Sequence, residues 1–223
     1  MRSSVMLSAV LMLGMAVPAV GQTDACGLTG LASSRKPGVY ALYKLEGGEA
    51  AGGTLRLTLI GTEKKAGVAR ERVEMQMTSP RMGGGPMIIQ MVVPAWPFAS
   101  SEIGEMVMQA PGQPPMRMSA QMMGMMNQRG GGMPAMNVDK TCQDAKLVGT
   151  EKLTVAGGSF ETQHYRNTKE GVDLWISPTV SGWGLVKSVG QGTTMTLTGM
   201  GKDGKTALTG EPMEMPMGMP NRR

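Results

Sequence analysis

The residues able to do chemistry are few, and most of them are thioethers. The chain carries 25 methionines, one histidine and two cysteines in 223 residues. Met75/Met77, Met106/Met108, Met116/Met118 and Met213/Met215/Met217/Met219 repeat as M-x-M. On a strand, positions i and i+2 point to one face, so each pair can converge on one object. That object is either the irregular core or an apolar groove, which soft and adaptable methionines fill, or Cu(I), which thioethers select; at the inward strand positions Met75, Met77, Met106 and Met108 filling is the expected role. No G-x-S-x-G motif appears, and one histidine leaves no material for a hydrolase triad. His164 has no partner indicated nearby in sequence, and Gly61 to Gly67 lacks the ending of a phosphate loop. The expected class is therefore non-enzymatic.

Cys26 and Cys142 stand far apart, and neither has a neighbouring cysteine to make a redox or zinc pair. An isolated pair in an exported chain is expected to form a disulfide. The competing use of Cys26 as a lipidation site requires a lipobox, and Thr23-Asp24-Ala25 is a poor one because Asp24 is charged. Export itself follows from residues 1–21. Arg2 precedes an apolar run from Val5 to Val17, Pro18 breaks it, and Ala19-Val20-Gly21 offers small residues for cleavage. The run is too short for a spanning helix, so no transmembrane segment is expected after cleavage; an uncleaved anchor is the alternative. The expected compartment is periplasmic or extracellular. The net charge of +5 is spread along the chain, which gives no reason to expect a nucleic-acid partner.

The elements that would position these side chains are strands. Thr54 to Ile60 alternates cleanly, with Leu55, Leu57 and Leu59 on one face and Thr54, Arg56 and Thr58 on the other, wet face. Gly61 to Gly67 is a charged turn, and Arg72 to Thr78 completes a hairpin with Val73, Met75 and Met77 inward. Further strands are expected at Gly38 to Leu45, Met87 to Val93, Glu105 to Gln109, Lys146 to Val155, Ser159 to Arg166, Val172 to Ile176, Leu185 to Val189, Thr193 to Met200 and Thr206 to Thr209. Ser119 is placed to cap a short helix carrying Met122, Met123 and Met126. The expected organisation is one β-rich domain over 22–210, with a Met/Gly/Pro-rich insertion at 111–137 and a disordered Met/Pro tail at 211–223. The fold class is mainly β: a curved antiparallel sheet or unclosed barrel with one short Met-rich helix.

Val155-Ala156-Gly157-Gly158-Ser159-Phe160, then His164-Tyr165, Val172 to Trp175 and Gly184-Leu185-Val186-Lys187, resembles uncharacterised exported bacterial proteins. Some of these are similar to LolA-type lipoprotein carriers. The resemblance covers residues 146–200, and residues 39–110 by strand pattern. It implies an unclosed antiparallel barrel whose concave face can hold an acyl chain under a helical lid. The motif carries turn chemistry and transfers no functional residue.

Three readings follow. In the first, an apolar groove lined by Trp175, Met75, Met77, Met106, Met108, Met122 and Met126 holds a lipid-like ligand. In the second, Met116, Met118, Met122, Met123, Met125 and Met126 bind Cu(I), the one cofactor the composition suggests. In the third, the chain is a structural envelope protein without a ligand.

Overall fold

Period-two alternation fixes which residues face inward, and hydrogen bonding between neighbours then determines one continuous sheet. The computed structural model describes residues 26–27, 35–48, 51–65, 67–81, 83–94, 102–119, 122–123, 138–180 and 182–214. Among these, the strands are β1 (Tyr40–Glu46), β2 (Thr54–Lys65), β3 (Val68–Thr78), β4 (Met87–Val93), β5 (Glu105–Gln109), β6 (Met116–Arg117), β7 (Lys146–Val155), β8 (Gly158–Asn167), β9 (Val172–Ile176), β10 (Leu185–Gly190), β11 (Thr193–Gly201) and β12 (Met213–Glu214). They form one open sheet in the order β12-β6-β5-β4-β3-β2-β1-β11-β10-β9-β8-β7. The mainly β, unclosed architecture expected from the alternation is the observed one. A short helix, α1 (Val138–Gln143), precedes β7.

The inner face buries Leu55, Leu57 and Leu59 of β2 with Val73 and Met75 of β3, Ile89 and Met91 of β4, Tyr43 of β1 and Leu197 of β11. Tyr43 is fully enclosed, donates to the Leu185 carbonyl at 3.1 Å, and has its phenol pushed far up by burial. The β7–β8 tip folds back onto this face, where the Gly157 amide donates to the Leu197 carbonyl at 3.2 Å. A Cβ on Gly157 would lie 3.0 Å from Leu197 Cγ and 3.2 Å from its carbonyl oxygen, so a side chain there would crowd this contact.

The outer face corrects the expectation that Thr58 is wet. Thr58 pairs with Glu74, and Glu74 with Gln90, in a polar row across β2, β3 and β4. Thr58 and Glu74 are wholly buried. The chain after β11 covers them: residues 204–212 run across the strands as a strap. Glu74 accepts from Gln76 Nε2 (2.9 Å), the Ala207 amide (2.9 Å), Gln90 Nε2 (3.2 Å) and Thr206 Oγ1 (2.6 Å). Gln109 pairs with the Thr209 backbone as a peptide would, accepting from its amide at 3.1 Å and donating to its carbonyl at 3.2 Å. Side chains thus replace a strand ladder, which is why the expected strand at Thr206 to Thr209 is absent. Within the expected tail, Met213–Glu214 form β12, which pairs in parallel with β6.

Two further departures have local causes. The expected turn at Gly61 to Gly67 is mostly strand: β2 and β3 extend as a ladder to Lys65↔Val68, held by Arg72–Glu63 at 2.7 Å. Arg35, in what reads as a polar lead-in, is buried 4.2 Å over the Trp183 ring with Glu71 at 3.1 Å. Burial pushes its guanidinium down, and Glu71 opposes that shift. The expected disulfide is present, Cys26–Cys142 across 116 residues, with Cys142 on α1. The signal segment 1–21, residues 124–137, Trp96 and the tail beyond 214 lie outside the described residues.

Two stability experiments follow. Reducing the disulfide, or replacing Cys142 with Ser, should cost about 2–4 kcal/mol in urea unfolding. Glu74→Ala takes the acceptor from the Gln76 amide, the Thr206 hydroxyl and the Ala207 backbone amide, while Gln90 Nε2 keeps Thr206 Oγ1, and should cost about 2–4 kcal/mol. Its faster amide hydrogen exchange should concentrate at Ala207; protection unchanged there would show that the strap does not depend on Glu74.

Candidate functional site

The strand registers assemble the methionines that sequence spacing pairs only two at a time. Met77 stands between Leu55 and Met87, Met75 between Leu57 and Ile89, and Met91 between Val73 and Met106. Ile89 faces Met108, which faces Met116 on β6. One inner surface, spanning β2 to β6, is therefore leucine on one side and methionine on the other. Met75, Met106 and Met118 are buried in it. Met77, Met87, Met108, Met122 and Met123 pack against it with part of each side chain still uncovered.

Ser119 caps the start of the expected helix. Its Oγ accepts from the Met122 amide at 3.3 Å, and its carbonyl accepts from the Met123 amide at 3.1 Å. The structure thus brings Met75, Met77, Met106, Met108 and Met122 of the expected groove to one face, together with Met116, Met118 and Met123 of the expected copper set. Met125 and Met126 lie outside the described residues.

Trp175 does not join them. It pairs with Lys187, Lys187 with Thr196, Thr196 with Lys44, and Lys44 with Thr54. That row is the outer face, whereas its neighbour Leu174 shares a face with Met195, Leu45 and the inner methionines. Strand alternation therefore sets Trp175 on the other side of the strands from the methionine row, while it packs, partly buried, against the hydrophobic cluster.

Instead Trp175 belongs to a polar cluster with the sole histidine. The His164 ring stacks on the Trp175 ring at 4.3 Å and 10°. His164 Nε2 lies 2.6 Å from Asp173 Oδ1, and Nδ1 lies 3.5 Å from Glu151 Oε1. Trp175 Nε1 donates to Glu151 at 2.6 Å, Arg166 Nε donates to Asp173 at 2.7 Å, and Lys187 Nζ sits 5.2 Å from the indole. The expectation that His164 lacks a partner fails because its partners come from β7 and β9, whose registers a sequence does not display. Partial burial pushes the Asp173 carboxyl up, but hydrogen bonds from His164 and Arg166, with their charges, outweigh it and hold it below its ordinary value. These contacts tie β7, β8 and β9 together across the sheet.

Two clefts lie elsewhere. One of about 480 Å³ opens on the outer face between Gly85, Pro111, Gln109 and strap residue Thr209. The other, about 310 Å³, lies beside the disulfide, between Cys26, Thr162, Gln163 and Ser177. No methionine lines either cleft. Among the described residues no group of three His, Cys, Asp or Glu side chains is placed to hold a metal ion.

No family model and no curated protein matches this chain. Among solved structures, a Bacteroides fragilis NCTC 9343 protein of YmcC-like fold, described as exported, is similar at 12% identity and TM-score 0.39, over 75% of this chain and 97% of that one. MucB in complex with MucA(peri) is similar at 14% identity and TM-score 0.42, over 84% of this chain and 59% of MucB.

The cluster makes a pH prediction. Because the Asp173 carboxyl lies below its ordinary value, its contribution is complete at neutral pH and is lost as pH falls through the folded-state value. Asp173→Asn should therefore lower stability at pH 7 by a few tenths to about 1 kcal/mol, a modest figure because the site is solvent-screened. The difference from wild type should vanish near pH 2, as read from urea midpoints at the two pH values.

Proposed function

We propose that this chain is an exported, non-enzymatic binding protein that shelters an apolar or lipid-like ligand, in the manner of the LolA-type carriers, on the inner face of β2 to β6. The observation that carries this reading is the incomplete cover on Met77, Met87, Met108, Met122 and Met123 beside a fully packed leucine and isoleucine floor. Methionines in that setting can repack around acyl chains of differing shape, because their unbranched side chains adapt at low cost. The signal-like segment 1–21 and the disulfide support export to an oxidising compartment. No helix among the described residues is long and apolar enough to cross a membrane.

The test is native mass spectrometry of the mature chain purified from its exported compartment, with displacement of the fluorescent apolar probe N-phenyl-1-naphthylamine as a second readout. A retained lipid-sized mass is expected. Met108→Lys, which puts a charge on the uncovered part of the face, should weaken probe binding at least tenfold. Trp175→Ala, on the opposite face, should leave it unchanged. Absence of both lipid mass and probe binding would favour a structural envelope protein.

A further inference from the structure

The edge of the sheet brings together three methionines from three separate M-x-M repeats. Met108 on β5 is the direct cross-strand partner of Met116 on β6, and Met116 is the direct partner of Met213 on β12. Their common face is fixed independently by their neighbours. Arg117 Nη1 reaches Glu214 Oε1 at 3.1 Å, and Arg117 Nε lies 3.5 Å from Glu105, so those three side chains occupy the outer face. The alternate residues Met108, Met116 and Met213 must then share the inner one.

We propose that Met108, Met116 and Met213 form a three-thioether site for Cu(I). Directly paired residues on adjacent strands stand about 5 Å apart at Cβ. Met108 and Met213, on either side of Met116, are then about 10 Å apart, and each methionine has three rotatable bonds in its side chain, so the outer two would turn inward over Met116 to bring three sulfurs to one ion. Thioethers are soft neutral donors and select Cu(I) over the harder divalent ions. Core filling does not account for the choice of residue. Met213 is 52% exposed, and Met116 is partly exposed at the margin of the sheet. Such positions gain little from burying a flexible apolar side chain, and a β-branched residue would serve the strands better. The exposure of Met213 also gives the ion an entry path. Binding would cross-link β12 to the sheet by a second route besides its two-residue parallel pairing. The site differs from the run Met116 to Met126 that sequence spacing suggests, sharing only Met116 with it.

The test is a competitive titration of the full mature chain, freed of lipid, with Cu(I) under anaerobic reducing conditions against the chromophoric chelator bicinchoninate. One tightly held equivalent is expected, with three sulfur neighbours in the copper X-ray absorption spectrum. Met108→Leu, Met116→Leu and Met213→Leu should each weaken competition at least tenfold, whereas Met200→Leu, on β11, should not change it. Met213→Leu is at an exposed position, so near-UV circular dichroism should confirm that its fold is intact. Failure to compete with the chelator, unchanged affinity in the Met213 variant, or loss confined to a Met125/Met126→Leu variant would each overturn the assignment. The apolar probe does not report on this site's metal, so failure here and failure of the carrier reading are distinguishable.

Discussion

The buried carboxylate of Glu74 is the constraint on which the outer half of the molecule depends. A charge-bearing side chain at the centre of a sheet is tolerated only when its lone pairs are filled. Four donors fill them here, two from neighbouring sheet side chains and two from residues 206–207. Thr58, Glu74 and Gln90 would otherwise form a wet row on an ordinary half-exposed sheet. Because the strap lies over them they become a buried polar layer, and its path carries residues 213–214 to the margin beyond β6. One carboxylate thus connects the centre of the sheet to the place where its last strand is added.

The two faces then take opposite roles. Outward-facing side chains along β7 to β10 tie strands together through polar contacts, with His164 between Asp173 and Glu151 and stacked on Trp175. The inward-facing side chains are apolar and grade from leucine and tyrosine at β1 and β2 to methionine mixed with valine and isoleucine at β3 to β6. Met75, Met91 and Met106 pack as tightly as the leucines, whereas Met77, Met87, Met108, Met122 and Met123 are only partly covered. The proposed binding of an acyl chain along the face, and of a single soft ion at its margin, rests on that distribution.

Among the described residues neither edge strand, β12 or β7, has a further strand beside it, and each edge is limited differently. At β7 the strand is exposed along most of its length, but a register shift between Leu147 and Gly149 interrupts the ladder, and Lys146 and Lys152 flank it. Bulges and lysines oppose edge-to-edge pairing. At the other end, the short β12 leaves little backbone on offer. The disulfide supplies a long-range tie between the N-terminal end of the described chain and α1, which sits just before the β7 edge.

The sequence alone determined the class of fold, most strand positions, the pairing of its only two cysteines and the capping of a turn at Ser119. These are local properties, set by alternation, composition and turn chemistry within a few residues. It also identified the inward orientation of Met75, Met77, Met106 and Met108, since period two fixes which neighbours share a face. It did not display the partners of His164, the burial of Glu74 and Thr58, the separation of Trp175 from the methionines, or the row formed by Met108, Met116 and Met213. Each of those depends on register between strands distant in the chain, or on a segment crossing a face from far along it. The tertiary structure decided them because a one-residue slip reverses every side chain, and only the assembled hydrogen-bond ladder sets that register.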